Sequence, residues 1–244
     1  MQKKIPVDFT FSNIFKNHLT VAVITGAGID AESGLPTFRG EKGYYEDKEA
    51  TFLSSVEALN KYPIKQWRWY LKRFIIYHDT PPSSSHISLV KFEKKLGDKF
   101  LGIITQNISG LHKKAGSKKL FEIHGSIREK RNYLTGECKV IPESWIKSKP
   151  KNEVLKSWRP HVCLIGESYE EYPFNESIEI CCKCEILIII GTAGIINTPV
   201  FLAKIARNSG AIVININPKK GALDEVSNYV FRGRASEYFE NTIF

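Results

Sequence analysis

The chain lacks any apolar run of about 18 residues, so no segment predicts a membrane-crossing helix. Its charged start, Met1 to Asp8, is not followed by an apolar stretch, which argues against a secretory leader. Cysteine is scarce and odd in number: five among 244 residues, three of them crowded into Cys181-Cys182-Lys183-Cys184. That usage suits reduced thiols in a cytoplasmic setting better than a disulfide framework. There is no internal repeat. The low-complexity patch Pro81-Pro82-Ser83-Ser84-Ser85 predicts a loop leading into a helix that starts near His86. Lys and Arg outnumber Asp and Glu by 35 to 26, a net charge of +9, yet no basic and aromatic stripe recurs. The excess predicts a solvated surface rather than a nucleic-acid partner, with acidic substrates as the second reading.

What is present points to one large α/β domain carrying a smaller insertion. Four runs rich in Ile, Leu and Val, at 21–24, 100–104, 186–190 and 211–216, are separated by helix-length segments. They predict a doubly wound parallel sheet of Rossmann type with helices on both faces. Each run ends at a candidate site: Gly26, Thr105-Gln106-Asn107, Gly191-Thr192 and Asn215-Ile216-Asn217-Pro218. Open α/β sheets bind ligands at the carboxyl ends of their strands. Residues 41–78, rich in aromatics, and 125–160, with nine Lys or Arg against four Glu, interrupt the pattern. They predict a small domain packed over a sheet domain built from 1–40, 79–124 and 161–244.

The segment Gly26-Ala27-Gly28-Ile29-Asp30-Ala31-Glu32-Ser33-Gly34 follows the first run. Its glycines let the backbone turn tightly and approach a pyrophosphate. It continues into Pro36-Thr37-Phe38-Arg39, and two further clusters follow, Gln106-Asn107-Ile108-Ser109 and His124-Gly125. Together they resemble the sirtuin family of NAD-dependent protein deacylases, over roughly residues 20 to 240. Trp69-Tyr70-Leu71-Lys72-Arg73 is similar to the signature of one sirtuin class, in which a Tyr and an Arg three residues on read acidic acyl groups.

The resemblance implies NAD as cofactor and an acyl-lysine protein or peptide as partner. It places Gly26, Ala27 and Gly28 at the pyrophosphate and Phe38 and Arg39 at the reacting ribose. Gln106 and Asn107 would contact that ribose, with Asn107 and the base His124 carrying the chemistry. An imidazole with an ordinary pKa of about 6.5 can accept a hydroxyl proton near neutral pH. Gly191, Thr192, Ala193, Asn215 and Ala235 would complete the dinucleotide site. His86 and His112 read instead as structural. The family has Ser where Asp30 stands and Asp where Ser109 stands, which suggests an exchange of the two groups within the nicotinamide pocket; two independent losses that weaken cofactor handling are the other reading.

Val162, Ile165, Gly166 and Glu167 match the family strand that pairs with substrate, Ile165 replacing a Phe. Tyr70 and Arg73 share a helix face and could grip one carboxylate, as in succinyl or malonyl groups. An ordinary amphipathic helix and an acetyl group remain the other reading. Many sirtuins hold a structural zinc on two Cys-x-x-Cys pairs, and the corresponding window has only Cys138 and Cys163. No zinc is expected, Cys181 and Cys184 read as packing thiols, and the small domain is expected to rest on Trp145 and Trp158. An NAD glycohydrolase or ADP-ribosyltransferase in the same pocket is the alternative enzyme, and a cofactor-sensing module without turnover is a third reading.

Overall fold

The structure, a computed structural model, describes residues 19–37, 43, 47–148, 150–194 and 197–242. Phe38 and Arg39 lie outside the described residues.

Six parallel strands form the main sheet: β1 (Val21–Thr25), β2 (Phe100–Thr105), β3 (Leu120–Glu122), β7 (Ile186–Ile190), β8 (Ile212–Ile216) and β9 (Tyr229–Phe231). Their order is β3-β2-β1-β7-β8-β9. The chain therefore winds outward from β1 in one direction, then from β7 in the other. The crevice between the carboxyl ends of β1 and β7 is the switch point at which such sheets bind ligands. A second sheet is antiparallel, in the order β5-β4-β6, from β4 (Gly125–Asn132), β5 (Cys138–Val140) and β6 (Trp158–Val162).

Side chains alternate across the main sheet, as the two-residue period of a strand requires. Val21 and Val23 of β1 face one apolar layer, while Ala22 and Ile24 face the other. The first layer includes Leu89 and Phe92 of the helix Ser84–Leu96 and Tyr238 and Phe239 near the carboxyl terminus. Cys181 and Cys184 lie in the second layer, beside Leu202 and Ala203, where they pack as small apolar groups. A fully buried Leu or Phe contributes about 1.5–3 kcal/mol through its lost contact with water.

The second sheet and the helices before it build a separate apolar cluster. The helix α1 (Pro63–Asp79) begins with Pro at its first position, where no N–H is needed. It buries Trp67, Tyr70, Leu71 and Phe74, the i, i+3, i+4, i+7 spacing of one helix face. These meet Ile127, Ile141, Leu155, Val162 and Leu164, with Trp145 and Trp158 packed at the edge. The ring of Trp67 meets that of Trp145 edge-on at 5.8 Å. The Trp67 indole N–H donates to the Trp158 carbonyl. Lys130 lies between two indoles, its Nζ 4.6 Å from the Trp145 ring and 4.3 Å from that of Trp158. No helix among the described residues is long and apolar enough to cross a membrane.

Candidate active site

A cavity of about 1160 Å³ runs across the strand ends. It is larger than the roughly 300–1,000 Å³ of ordinary small-molecule sites, so a dinucleotide and an inserted side chain can share it. Gly26, Ala27, Gly28, Gln106, Asn107, His124, Gly191, Thr192, Ala193 and Ala235 all line it. So do Tyr70, Arg73, Val162, Ile165, Gly166 and Glu167. The residues expected on the dinucleotide side and those expected on the acyl side therefore meet in a single space, with His124 among them.

The two glycine turns touch. Gly28 donates its N–H to the Gly191 carbonyl at 2.8 Å, and a Cβ on Gly28 would stand 2.5 Å from the Gly191 Cα. Gly191 itself has a φ of +62°, which favours glycine. Three buried amides fasten this arrangement. Asn107 Nδ2 donates to the Gly26 carbonyl at 2.9 Å, Gln106 Nε2 to Thr192 Oγ1 at 3.0 Å, and Asn217 Nδ2 to the Thr192 carbonyl at 2.8 Å. Lys219, Lys220 and Arg234 add cationic groups to the same wall. Glycine turns too close for side chains, flanked by amide donors and cations, fit a dinucleotide carrying a pyrophosphate.

His124 Nδ1–H donates to the Gln106 carbonyl at 2.8 Å, which fixes the tautomer and leaves Nε2 as the acceptor. Burial lowers its pKa to about 4, with the Gln106 carbonyl opposing in part. The imidazole is therefore neutral at pH 7, with Nε2 unprotonated.

Three of the expected site residues lie outside the cavity lining. Asn215 does not line the cavity: it is buried inside β8, and its Nδ2 donates to Asp224 Oδ1 at 2.9 Å. Asn217, one step past the strand end, lines it instead. Asp30 and Ser109 do not line the cavity either. The Asp30 carboxylate faces His86, its Oδ1 3.2 Å from Nε2, and the Ser109 hydroxyl accepts from the Leu111 N–H at 3.3 Å. His86 Nδ1 accepts the Ser83 N–H at 3.2 Å, so Nε2–H is the side that donates to Asp30. His112 is buried nearby, its ring 4.8 Å from that of His86 and its Nε2 2.9 Å from Thr25 Oγ1.

On the acyl side, β6 ends at Val162, and beyond it Ile165 forms an isolated parallel bridge with Ser55. Ile165 donates its N–H to the Ser54 carbonyl at 2.8 Å and accepts from the Val56 N–H at 3.1 Å. Its backbone is thus already paired, and what it offers the cavity is its side chain. Glu167 shapes this segment, accepting from the Leu164 N–H at 2.8 Å and from Arg159 Nη2 at 2.8 Å. Burial would raise the Glu167 carboxyl, but Arg159 and the Leu164 N–H outweigh it and hold it below the usual carboxylate range.

Burial pushes the Tyr70 phenol up to about 12, against the pull of Arg73, so it stays a proton donor at neutral pH. Arg73 donates to the Tyr77 hydroxyl at 2.7 Å and lies 4.6 Å above the Trp69 ring. Tyr169, which the sequence reading passed over, also lines the cavity. Its signal was the aromatic ring two positions beyond Gly166-Glu167.

The Sir2 family profile matches residues 26–198. The chain is similar to an NAD-dependent protein deacylase from Leptospira interrogans serovar Lai, 39% identical over 226 residues covering 91% of each chain. NAD-dependent protein deacylase 2 of Pyrobaculum aerophilum is 34% identical, covering 88% of this chain and 86% of its own. Among solved structures, a Sir2 homologue in complex with NAD superposes with a TM-score of 0.84 at 27% identity, covering 99% of this chain and 94% of that one. A Sir2 homologue mutant in complex with ADP-ribose superposes with a TM-score of 0.82 at 29% identity, covering 91% and 90%. The chain belongs to the Sir2 family, the sirtuins.

Proposed function

We propose that this protein is an NAD-dependent protein lysine deacylase, with a preference for acidic acyl groups such as succinyl or malonyl. The observation that carries the reaction is the placement of His124, with its acceptor nitrogen defined, in one cavity with both the glycine turns and the 162–167 segment. The relatives' names support the same reaction. Bound NAD would supply an electrophilic ribose carbon and nicotinamide as its leaving group.

The chain's own residues divide the remaining work. The turns at Gly26–Gly28 and Gly191–Ala193 hold the pyrophosphate, and Gln106 and Asn107 keep those turns in register through their amides. Val162, Ile165 and Gly166 guide the acyl-lysine inward, while Glu167 and Arg159 fix the shape of that wall. His124 Nε2 accepts the proton of a ribose hydroxyl. The acyl oxygen would bond to the ribose carbon as nicotinamide leaves, and one water would release the amine, giving free lysine, nicotinamide and an O-acyl-ADP-ribose. In this reading 41–78 and 125–160 belong to a small domain, and 1–40, 79–124 and 161–244 to the NAD-binding domain.

The preference for acidic acyl groups is supported by Tyr70 and Arg73, two proton donors on one wall. The Tyr77 hydroxyl and the Trp69 ring hold the guanidinium in place, and a preset cation binds a carboxylate at lower entropic cost.

The test is chromatography of NAD incubated with acetyl-, succinyl- and malonyl-lysine peptides. The expected result is peptide-dependent nicotinamide release, fastest with an acidic acyl group. Arg73→Met should lower kcat/KM for succinyl-lysine by about 10- to 100-fold, the loss of charge-assisted hydrogen bonds, and leave acetyl-lysine nearly unchanged. Equal rates for all three peptides would remove the acidic preference. Release without any peptide would favour a glycohydrolase.

A further inference from the structure

Just beyond the Gly166–Glu167 turn, Tyr169 reaches back to cover the His124 imidazole. The two rings are stacked, 5.5 Å between centroids and 8° from parallel. On the other side of Tyr169 lies Phe174, at 5.0 Å and 10°. Phe201 extends the stack from Phe174, at 6.5 Å and 12°. The Tyr169 hydroxyl meets Thr198 Oγ1 at 2.7 Å, and Thr198 is buried in the first turn of the helix Asn197–Asn208. Tyr169 is thus held on its edge by a hydrogen bond and on its outer face by a second ring.

The His124 ring needs such support. Its hydrogen bond to the Gln106 carbonyl fixes one nitrogen but leaves the ring plane free to tilt about that contact. A flat partner against its face removes the tilt, because offset stacking favours near-parallel planes. It also keeps water from that face. An aliphatic side chain at 169 would neither set a plane nor cover the whole ring face.

We propose that Tyr169 is a positioning residue for His124, holding the imidazole plane so that Nε2 points at the ribose hydroxyl and one ring face stays dry. The kinetic consequence rests on the deacylase reading; the effect on the ring does not. Other titratable groups around His124 are engaged elsewhere. Glu122 pairs with Lys113, Glu167 with Arg159, and Glu170 with Arg131. The Cys163 thiol faces the Glu167 and Ser168 carbonyls. The shift of His124 has burial as its main cause and no charged neighbour among its causes, so a change in ring cover should be visible in its titration.

The experiment compares wild type, Tyr169→Phe and Tyr169→Leu. In ligand-free protein, nitrogen NMR of the His124 ring is followed from acid to neutral pH. Wild type and Tyr169→Phe should share a low midpoint, while Tyr169→Leu should move at least about one unit toward the ordinary value of about 6.5. With acyl-peptide and NAD, Tyr169→Leu should lose about 10-fold or more in kcat, part of the roughly 10²–10⁴-fold a general base supplies, with KM for NAD within about 2-fold. Tyr169→Phe should keep most of kcat. If the Leu variant does not fold, Tyr169→Met, also without a flat face, takes its place. A folded Leu or Met variant with the wild-type His124 midpoint and wild-type kcat would overturn the inference. A shifted midpoint in a protein inactive on every acyl-peptide would support it and count against the deacylase reading instead.

Discussion

The two sheets of this molecule solve the same problem with different chemistry. In the parallel sheet, β1 and β7 are aliphatic and completely or almost completely buried, and the chain positions its site residues where strands end. In the antiparallel sheet, β5 is exposed along its whole length, and β4 buries only Ser126, Ile127 and Lys130. That sheet rests on three tryptophans and on a lysine laid between two of them. A cation over an indole face contributes about 0.5–2 kcal/mol, depending on how dry it is. The parallel sheet is thus held by area. The antiparallel one depends on a few large groups, and should be the more fragile of the two.

The sharpest way to break this contrast is to remove one large group from the weaker side. Trp67 is 1% exposed, packs on Trp145 and donates to the Trp158 carbonyl. Trp67→Ala should cost about 3–5 kcal/mol, read from chemical denaturation. A loss below about 1 kcal/mol would mean that aromatic packing is not what holds the antiparallel sheet.

A change on the stronger side should strike the site directly. Gly28→Ala places a Cβ 2.5 Å from the Gly191 Cα, so the two turns must part. Activity should fall on the order of 10²-fold, the scale of an ångström-sized misplacement, with weaker NAD binding by calorimetry. Wild-type NAD affinity in that variant would show that the closeness of the turns is incidental.

Acid should show a smaller effect shared by both regions. Burial holds His124 at about 4 and His112 well below its ordinary value. Unfolded imidazoles titrate near 6.5, so the unfolded chain takes up protons that the folded chain refuses. This contribution is absent above about pH 6.5 and destabilises as pH falls from there towards 4. Melting temperature should decline across that window, and less steeply in His124→Asn. An identical slope in the variant would contradict the assigned burial.

These regions also differ in how far the sequence announces them. The runs at 21–24 and 186–190 are unbroken stretches of Val, Ala, Ile and Leu, a pattern that buried parallel strands share. Their ends therefore locate Gly26 and Gly191. The strand end at 216 is less sharp: Asn215 and Asn217 both look like a terminus, and only Pro218 marks where pairing stops. The direction of the Asp30 carboxylate was not legible because a helical side chain's direction depends on its tertiary partner, here His86. The strands of the smaller sheet left no periodic signal, since β5 buries nothing and the buried residues of β4, Ser126, Ile127 and Lys130, follow no two-residue period. Tyr169 was missed because stacking depends on three distant rings meeting.

The most direct test of the account is O-acyl-ADP-ribose formation by His124→Ala, measured by mass spectrometry beside NAD affinity. The expected result is a loss of about 10²–10⁴-fold in product formation with NAD affinity nearly unchanged. Product formation at the wild-type rate would contradict the assignment of His124 as the base.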